Sequence, residues 1–213
     1  MKLYTYFRSS AAFRVRIALN LKGLRYEPVF VHLAKGEHRQ PDYAKVNPQA
    51  LLPTLELDDG TRLTQSLAIM EWLDEKHPAP ALLPKDALAR ARVRSLAYLV
   101  ACEIHPLNNL RVLQHLKRAL GQSQEQIDNW YRYWIADGLA KLEADLARPG
   151  TGKFCHGDAP SLADCCLVPQ IFNGQRFNVD FGGLVRTMAA FEACMKHPAF
   201  QKAQPSACPD NEA

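Results

Sequence analysis

The hydrophobic period of this sequence changes once, and that change limits what the chain can fold into. Up to about residue 80, short alternating apolar runs are separated by short helix-like segments. From Asp86 on, nearly every stretch repeats its apolar residues at helical spacing. Pro78, Pro80 and Pro84 lie between the two parts, and proline fixes φ and removes a donor, so this stretch reads as stiff. The predicted organisation is a mixed α/β domain over residues 1–80, a linker over 81–85 and an all-helical domain over 86–213. A chain of 213 residues can supply a core for each.

In the first part, Leu3 to Tyr6 and Tyr26 to Leu33 read as strands on either side of an amphipathic helix, which predicts a βαβ unit with a right-handed crossover. Lys35 to Val46 reads as a loop with a short helix. Asp59-Gly60 between two short apolar runs signals a hairpin, with Pro53 at the mouth of its first strand. Gln65-Ser66 then opens a helix that carries Ile69, Trp72 and Leu73 on one face and closes at His77-Pro78.

The second part predicts a helix from Asp86 to Leu120, bent or interrupted at His105-Pro106, and another from Ser123 to Ala147. After the break at Pro149 to Gly152, Ser161-Leu162-Ala163-Asp164 has the form of a capping box, opening a helix to about Gln175. A last helix fits Leu184 to Met195, and Gln204 to Ala213 read as frayed.

The formal charge of +4 is too small for a nucleic-acid binder, yet suits small anions if the arginines cluster. Six cysteines are scattered without metal-ligand spacing, which predicts reduced thiols and no zinc site. With no N-terminal apolar signal core and no apolar run of about 18 residues, the sequence reads as cytoplasmic, with no membrane association.

Chemistry concentrates in Phe7 to Asn20. Ser9-Ser10 precede the first helix, where a hydroxyl can cap orphan N–H groups. Arg8, Arg14 and Arg16 flank them and leave an electropositive helix start that would stabilise an anion or a thiolate. Taken alone, the serines read as caps, Ser66 as another and Pro53 as a common strand-entry residue.

Together these blocks resemble the zeta class of the cytosolic glutathione transferases. The resemblance rests on Ser9-Ser10 with Arg14 to Leu19, Val46-Asn47-Pro48, Pro53-Thr54-Leu55, Gln65 to Ile69, and Leu162-Ala163-Asp164 with Leu167 to Gln170, in that order along nearly the whole chain. It implies a thioredoxin-like domain followed by a helical bundle (α/β plus all-α), with glutathione as cofactor. Ser9 and Ser10, with Ala11, would hold its thiol; Leu52, before Pro53, would pair its backbone with the cysteinyl part; Gln65 and Ser66 would take the γ-glutamyl carboxylate.

His38 is a candidate for the glycyl carboxylate, and His105, Asn109 and Arg111 would reach the cofactor from the helical domain. Arg8 and Arg176 would hold the carboxylates of a small dicarboxylate substrate, because guanidinium binds each one bidentately. Arg14 and Arg16 return to the scaffold, and Asp164 is a cap. The class commonly has cysteine where this chain has Ala11, so thiol activation falls to the serines and the helix start. The implied activity is cis–trans isomerisation by reversible thiolate addition, of maleylacetoacetate or of maleylpyruvate. The other reading is glutathione transfer to, or dehalogenation of, small α-halo acids. A homodimer is also implied.

Overall fold

Four short strands carry the first part of the chain in the computed structural model, which describes residues 1–211. They are β1 (Lys2–Thr5), β2 (Glu27–Phe30), β3 (Thr54–Glu56) and β4 (Arg62–Thr64), in the order β2-β1-β3-β4. β1 and β2 are parallel and are joined by the crossover helix α1 (Ser10–Leu21), as a parallel pair requires. β1/β3 and β3/β4 are antiparallel. Gly60 adopts φ +82 in the β3–β4 turn, a conformation that suits a residue without Cβ, and the Asp59 carboxylate accepts the Thr61 N–H at 2.9 Å. The strand bounds are shorter than the apolar runs because the ladder ends where pairing ends.

α1 is not amphipathic in the sense that its sequence suggests. Phe13, Val15, Ile17 and Leu19 are buried, and so are Arg14 and Arg16. The helix packs against α3 (Ser66–Lys76) and also against α9 (Pro198–Ala203), which leaves it no solvent face for the two guanidinium groups. Lys22, just past its end, is fully buried as well, with Nζ 2.5 Å from Asp74 Oδ1 and bonded to the carbonyls of His77 and Pro80. A buried cation is tolerated only when paired in this way. α2 (Pro41–Val46) follows a tight turn at Glu37–Arg39.

The chain divides into two compact units, residues 1–82 with the described residues from Met195 on, and residues 83–194. A helical domain running unbroken from 86 to 213 is therefore not what forms, because α9 and the tail after it belong to the sheet unit. The frayed end is also corrected over the described residues: Pro205–Ala207 form a turn, and Asp210 accepts the Phe7 N–H at 2.9 Å. Residues 212 and 213 lie outside the described residues.

The helical unit begins with α4 (Ala87–Tyr98), capped by Asp86, and continues through a widened turn at Leu99–Ile104 and a tight one at His105–Asn108 into α5 (Leu110–Arg118). The interruption falls at His105-Pro106, where proline cannot donate. α6 (Gln124–Leu146) opens with a Ser123/Gln126 capping box, and α7 (Leu162–Arg176) with the Ser161/Asp164 box. Asp164 is fully buried and accepts the N–H groups of Cys155 and Ser161 at 2.9 and 2.8 Å. α6 meets the widened turn so closely that a Cβ on Gly138 would stand 2.3 Å from Ile104. α8 (Val185–Met195) closes the unit. The six cysteines are free thiols. Among the described residues, no helix is long and apolar enough to cross a membrane, and no His/Cys/Asp/Glu group could hold a metal ion.

Candidate functional site

Sheet register brings three separate pieces of sequence to one end of the first unit. Tyr4 pairs with Thr54, and Thr54 pairs with Thr64. Beyond that row the chain continues from β1 into Phe7–Ser10, enters β3 through Leu52–Pro53, and leaves β4 into Gln65–Ser66. Arg8, Ser9, Ser10, Leu52, Pro53, Gln65 and Ser66 therefore share a sheet end, and Ala11 stands in the first turn of α1.

At the first piece, Ser9 is the N-cap of α1, and its Oγ accepts the Ala12 N–H at 3.2 Å while its own N–H donates to the Tyr6 carbonyl at 2.9 Å. The Ser9 O–H is not used by that capping bond. Both serines are nearly buried, and the first turn of α1 carries no acid to offset the positive end of the helix. Arg8 is exposed, with its guanidinium 5.0 Å from the centre of the Phe7 ring.

At the second piece, the Leu52–Pro53 peptide is cis. The Leu51 carbonyl accepts both the Tyr43 hydroxyl at 2.7 Å and the Asn47 side-chain N–H at 2.8 Å. Tyr43 also meets Thr54 Oγ1 at 3.0 Å, and Asn47 Oδ1 accepts the Gln49 N–H. This clamp holds the segment while the ladder begins only at Thr54, so the peptide groups of Leu52 lie outside it. The Leu52 side chain is buried among Tyr6, Phe7, Val31 and Tyr43.

At the third piece, Gln65 holds φ +66 and ψ 115, outside the regions a non-glycine residue ordinarily adopts. Such geometry persists where the surroundings impose it and clusters at functional sites. Its side chain donates to Gln49 Oε1 at 2.7 Å and does not cap α3, whose first turn carries no acid. Ser66 is buried, and its Oγ accepts from Nη1 of Arg14 at 3.2 Å. A buried guanidinium thus stands beside a helix start, a combination that favours an anion. Arg14, read from the sequence as a scaffold residue, reaches the start of α3 from α1 through this bond.

The sheet register does not place His38 with these groups. It is buried in the turn before α2, where burial, with Arg39 adding, pushes its imidazole pKa down. A neutral imidazole can offer a hydrogen bond there but not a charge.

The remaining candidates belong to the helical unit. His105 is half-buried in the tight turn, and Asn109 caps α5, its Oδ1 accepting the Arg111 N–H at 3.1 Å. Arg111 is exposed. Arg176 ends α7 with its guanidinium 5.0 Å from the Phe177 ring, which in turn stacks on Tyr131 at 3.7 Å and 16°. Burial pushes the Tyr131 hydroxyl up to about 12, opposed by the charge of Arg176 and a hydrogen bond with it. Tyr131, Phe177, Tyr43 and Gln49 brace candidate groups without having been singled out in the sequence, and Asn47 stood in a motif there with no role given to it. Their partners lie on other elements, and no spacing announces them.

A family model described as the glutathione S-transferase N-terminal domain matches residues 8–76. Maleylacetoacetate isomerase of Pseudomonas aeruginosa is 47% identical over 215 residues, covering 100% of both chains. A holo structure of maleyl pyruvate isomerase, a bacterial glutathione S-transferase of the zeta class, aligns at a TM-score of 0.96 and 47% identity over 99% of each chain. The chain belongs to the zeta class of the glutathione transferases. Within the class, maleylacetoacetate isomerase of Methylobacterium extorquens AM1, solved with bound malonate and glutathione, aligns at a TM-score of 0.97 and 42% identity over 100% of both chains. In this zeta-class transferase Ala11 follows the serine pair, and Arg14 donates to Ser66 at the start of α3.

Proposed function

We propose that this chain is a glutathione-dependent cis–trans isomerase of a maleyl-type dicarboxylate, with maleylacetoacetate as substrate and fumarylacetoacetate as product. The observation that carries the reading is the convergence of two uncapped-by-acid helix starts and an unpaired strand entry at one sheet end. Glutathione, a tripeptide with a carboxylate at each end and a thiol between, needs that set of groups. Maleylacetoacetate isomerase of Pseudomonas aeruginosa, similar over the whole chain, supports the reading by its name, and malonate, bound beside glutathione in one solved relative, is itself a small dicarboxylate.

When bound, glutathione supplies a thiolate that adds reversibly to the substrate double bond, which splits one high barrier into two lower ones. Gln65 and Ser66, backed by Arg14, hold the γ-glutamyl carboxylate, and the Leu52 backbone holds the cysteinyl unit. Ser9 and Ser10 donate toward the sulfur at the positive end of α1, which favours thiolate over thiol. Ala11 contributes only a methyl group there. His38 serves the glycyl carboxylate, and His105, Asn109 and Arg111 serve the cofactor from the helical unit. Arg8 and Arg176 hold the substrate carboxylates while the carbon–carbon bond turns, and they stabilise the negative charge that develops on the substrate. The enzyme works in the cytoplasm as a homodimer.

Maleylpyruvate is the second reading, because the maleyl pyruvate isomerase structure is 47% identical, as is the Pseudomonas aeruginosa maleylacetoacetate isomerase. Turnover with each substrate at limiting glutathione decides. Product exceeding the added glutathione many-fold supports the isomerase, with the larger kcat/KM naming the substrate. Stoichiometric thiol loss, or none, would sink it.

A further inference from the structure

The loop that carries Arg8, Ser9 and Ser10 lies outside the β ladder, so its peptide groups must be held by something else. They are held by two charged side chains, Arg16 from the adjoining helix α1 and Asp210 from far along the chain. The carbonyl of the Tyr6–Phe7 peptide accepts from Nη1 of Arg16 at 3.3 Å, and the N–H of the same peptide donates to Oδ2 of Asp210 at 2.9 Å. The next carbonyl, of Phe7, accepts from Nη2 of Arg16 at 3.1 Å. One peptide plane is thus gripped on both edges and its neighbour on one. Each bond is charge-assisted, the stronger kind of hydrogen bond.

The same guanidinium also reaches backward. Its Nε donates to the Ala203 carbonyl at 3.0 Å, at the end of α9, and Nη1 also donates to Thr5 Oγ1 at 3.0 Å. Between Ala203 and Asp210, Cys208 packs against the buried cluster of Tyr6, Phe7, Tyr43 and Leu52. The tail therefore touches the loop twice, once through a carboxylate on Phe7 and once through a side chain on the Leu52 cluster. Asp210 Oδ1 is buried without a hydrogen-bond partner among the described residues. An acid placed so is costly unless its other oxygen secures something, and here that oxygen secures the Phe7 amide.

We infer that the C-terminal tail is a strap that sets the geometry of the catalytic loop, with Asp210 and Arg16 as positioning residues for Arg8, Ser9 and Ser10. Neither residue touches substrate or cofactor. They fix the peptide planes on either side of Phe7, the second of which leads into Arg8, and the Tyr6 carbonyl that Arg16 holds also accepts the Ser9 N–H at 2.9 Å, so their loss moves the thiol-side donors and the carboxylate fork together. The inference rests on the isomerase reading for its consequence in turnover, and on the hydrogen bonds alone for its consequence in loop order.

The test uses the full chain with Asp210→Ala and Asp210→Asn. Amide hydrogen exchange over residues 7–10, read without glutathione, should accelerate by about tenfold or more in D210A, because the native-state protection of this segment is lost locally. With glutathione, kcat should fall by roughly tenfold, the size of effect that a small misplacement of reacting groups produces. The pKa of the bound thiol, read by thiolate absorbance, should rise, while KM for glutathione changes less than threefold. D210N keeps an acceptor without the charge and should show a smaller change of the same kind, which also reads the strap if D210A is too unstable to handle.

A lowered melting temperature with parental loop exchange, kcat and thiol titration would reduce the tail to packing and overturn the inference. Accelerated exchange with unchanged kcat and thiol pKa, or no recovery in D210N relative to D210A, would overturn it too. Calorimetry of glutathione binding to the parent chain is scored separately. If the parent does not bind glutathione, the isomerase reading fails while the loop-exchange result still judges the strap.

Discussion

The sheet end of the first unit and the helix ends of the second offer ligand groups in different ways. At the sheet end the groups are backbone positions and short hydroxyls, and buried side chains behind them set their geometry: Arg16 and Asp210 behind Phe7, Tyr43 and Asn47 behind Leu51, Arg14 behind Ser66. In the helical unit the candidates are long side chains at element ends, such as exposed Arg111 and Arg176, steadied by a capping residue or an aromatic stack. A constant ligand such as a cofactor suits the first arrangement, because rigid peptide groups lose little entropy on binding. A variable small anion suits an exposed tip such as Arg176, which can change without disturbing a core.

Removing the hydroxyls is the largest way to break this contrast. The double variant Ser9→Ala, Ser10→Ala should lower turnover about 10²- to 10³-fold, the scale seen when an electrostatic donor is lost from a reacting site. The bound thiol should titrate higher, and loss of the N-cap should lower stability by about 1 kcal/mol. Steady-state kinetics and thiolate absorbance check it; parental values for both would mean that activation lies elsewhere on the sheet end.

The helical side should respond differently. Arg176→Ala should raise KM for the dicarboxylate roughly 10- to 100-fold, as expected for losing charged hydrogen bonds of about 1.5–3 kcal/mol, and leave glutathione affinity near parental. Tyr131→Phe should give a weaker version of the same KM effect. Because Tyr131 is pushed up to about 12, the hydroxyl stays protonated throughout the working range, and the variant should neither add nor remove an inflection between pH 7 and 10. A matched loss of glutathione affinity in either variant would dissolve the distinction between the two regions.

A smaller effect sharpens the comparison through stability. Glu143 on α6 accepts the N–H groups of Arg186 and Thr187 and the Thr187 hydroxyl at the start of α8. Burial pushes its carboxyl up, but those donors outweigh burial and leave it below the usual carboxylate range. An acid depressed in the folded state adds stability that is complete above its unfolded pKa and is lost as pH falls through its folded one. Urea unfolding should therefore show a shallower acid limb for Glu143→Gln than for the parent between pH 3 and 6, with a loss at pH 7 of about 1 kcal/mol or less.

Much of this was legible from local pattern. The Ser161/Asp164 box and the break at His105-Pro106 depend on neighbours a few residues apart, and both form as their residue types require. The hairpin at Asp59-Gly60 is local in the same sense. The burial of Arg14 and Arg16 was not legible, because a helix wheel cannot show that α3 meets Arg14 through Ser66 while α9, almost the whole chain away, meets Arg16 through the Ala203 carbonyl. The tail read as frayed for a related reason: the sequence from Gln204 on carries no periodicity, and its described residues are tied down where Asp210 meets an amide 203 residues earlier. Gln65 gives no sign of its positive φ, since nothing but the β4–α3 junction imposes it.

By itself, then, the sequence determined the kinds of element, their order and the caps at Ser9 and Ser161, but not at Ser66, which caps nothing, together with the family whose motifs they carry, because these are written in residue types within a turn or two of chain. Tertiary structure alone decided which buried charges hold the loop and the helix start in place. It also decided that the last stretch of the chain belongs to the sheet unit rather than to the helices before it. Those outcomes depend on which surfaces meet, and a guanidinium or a carboxylate finds its backbone partners only after the chain has folded and water has been excluded around them.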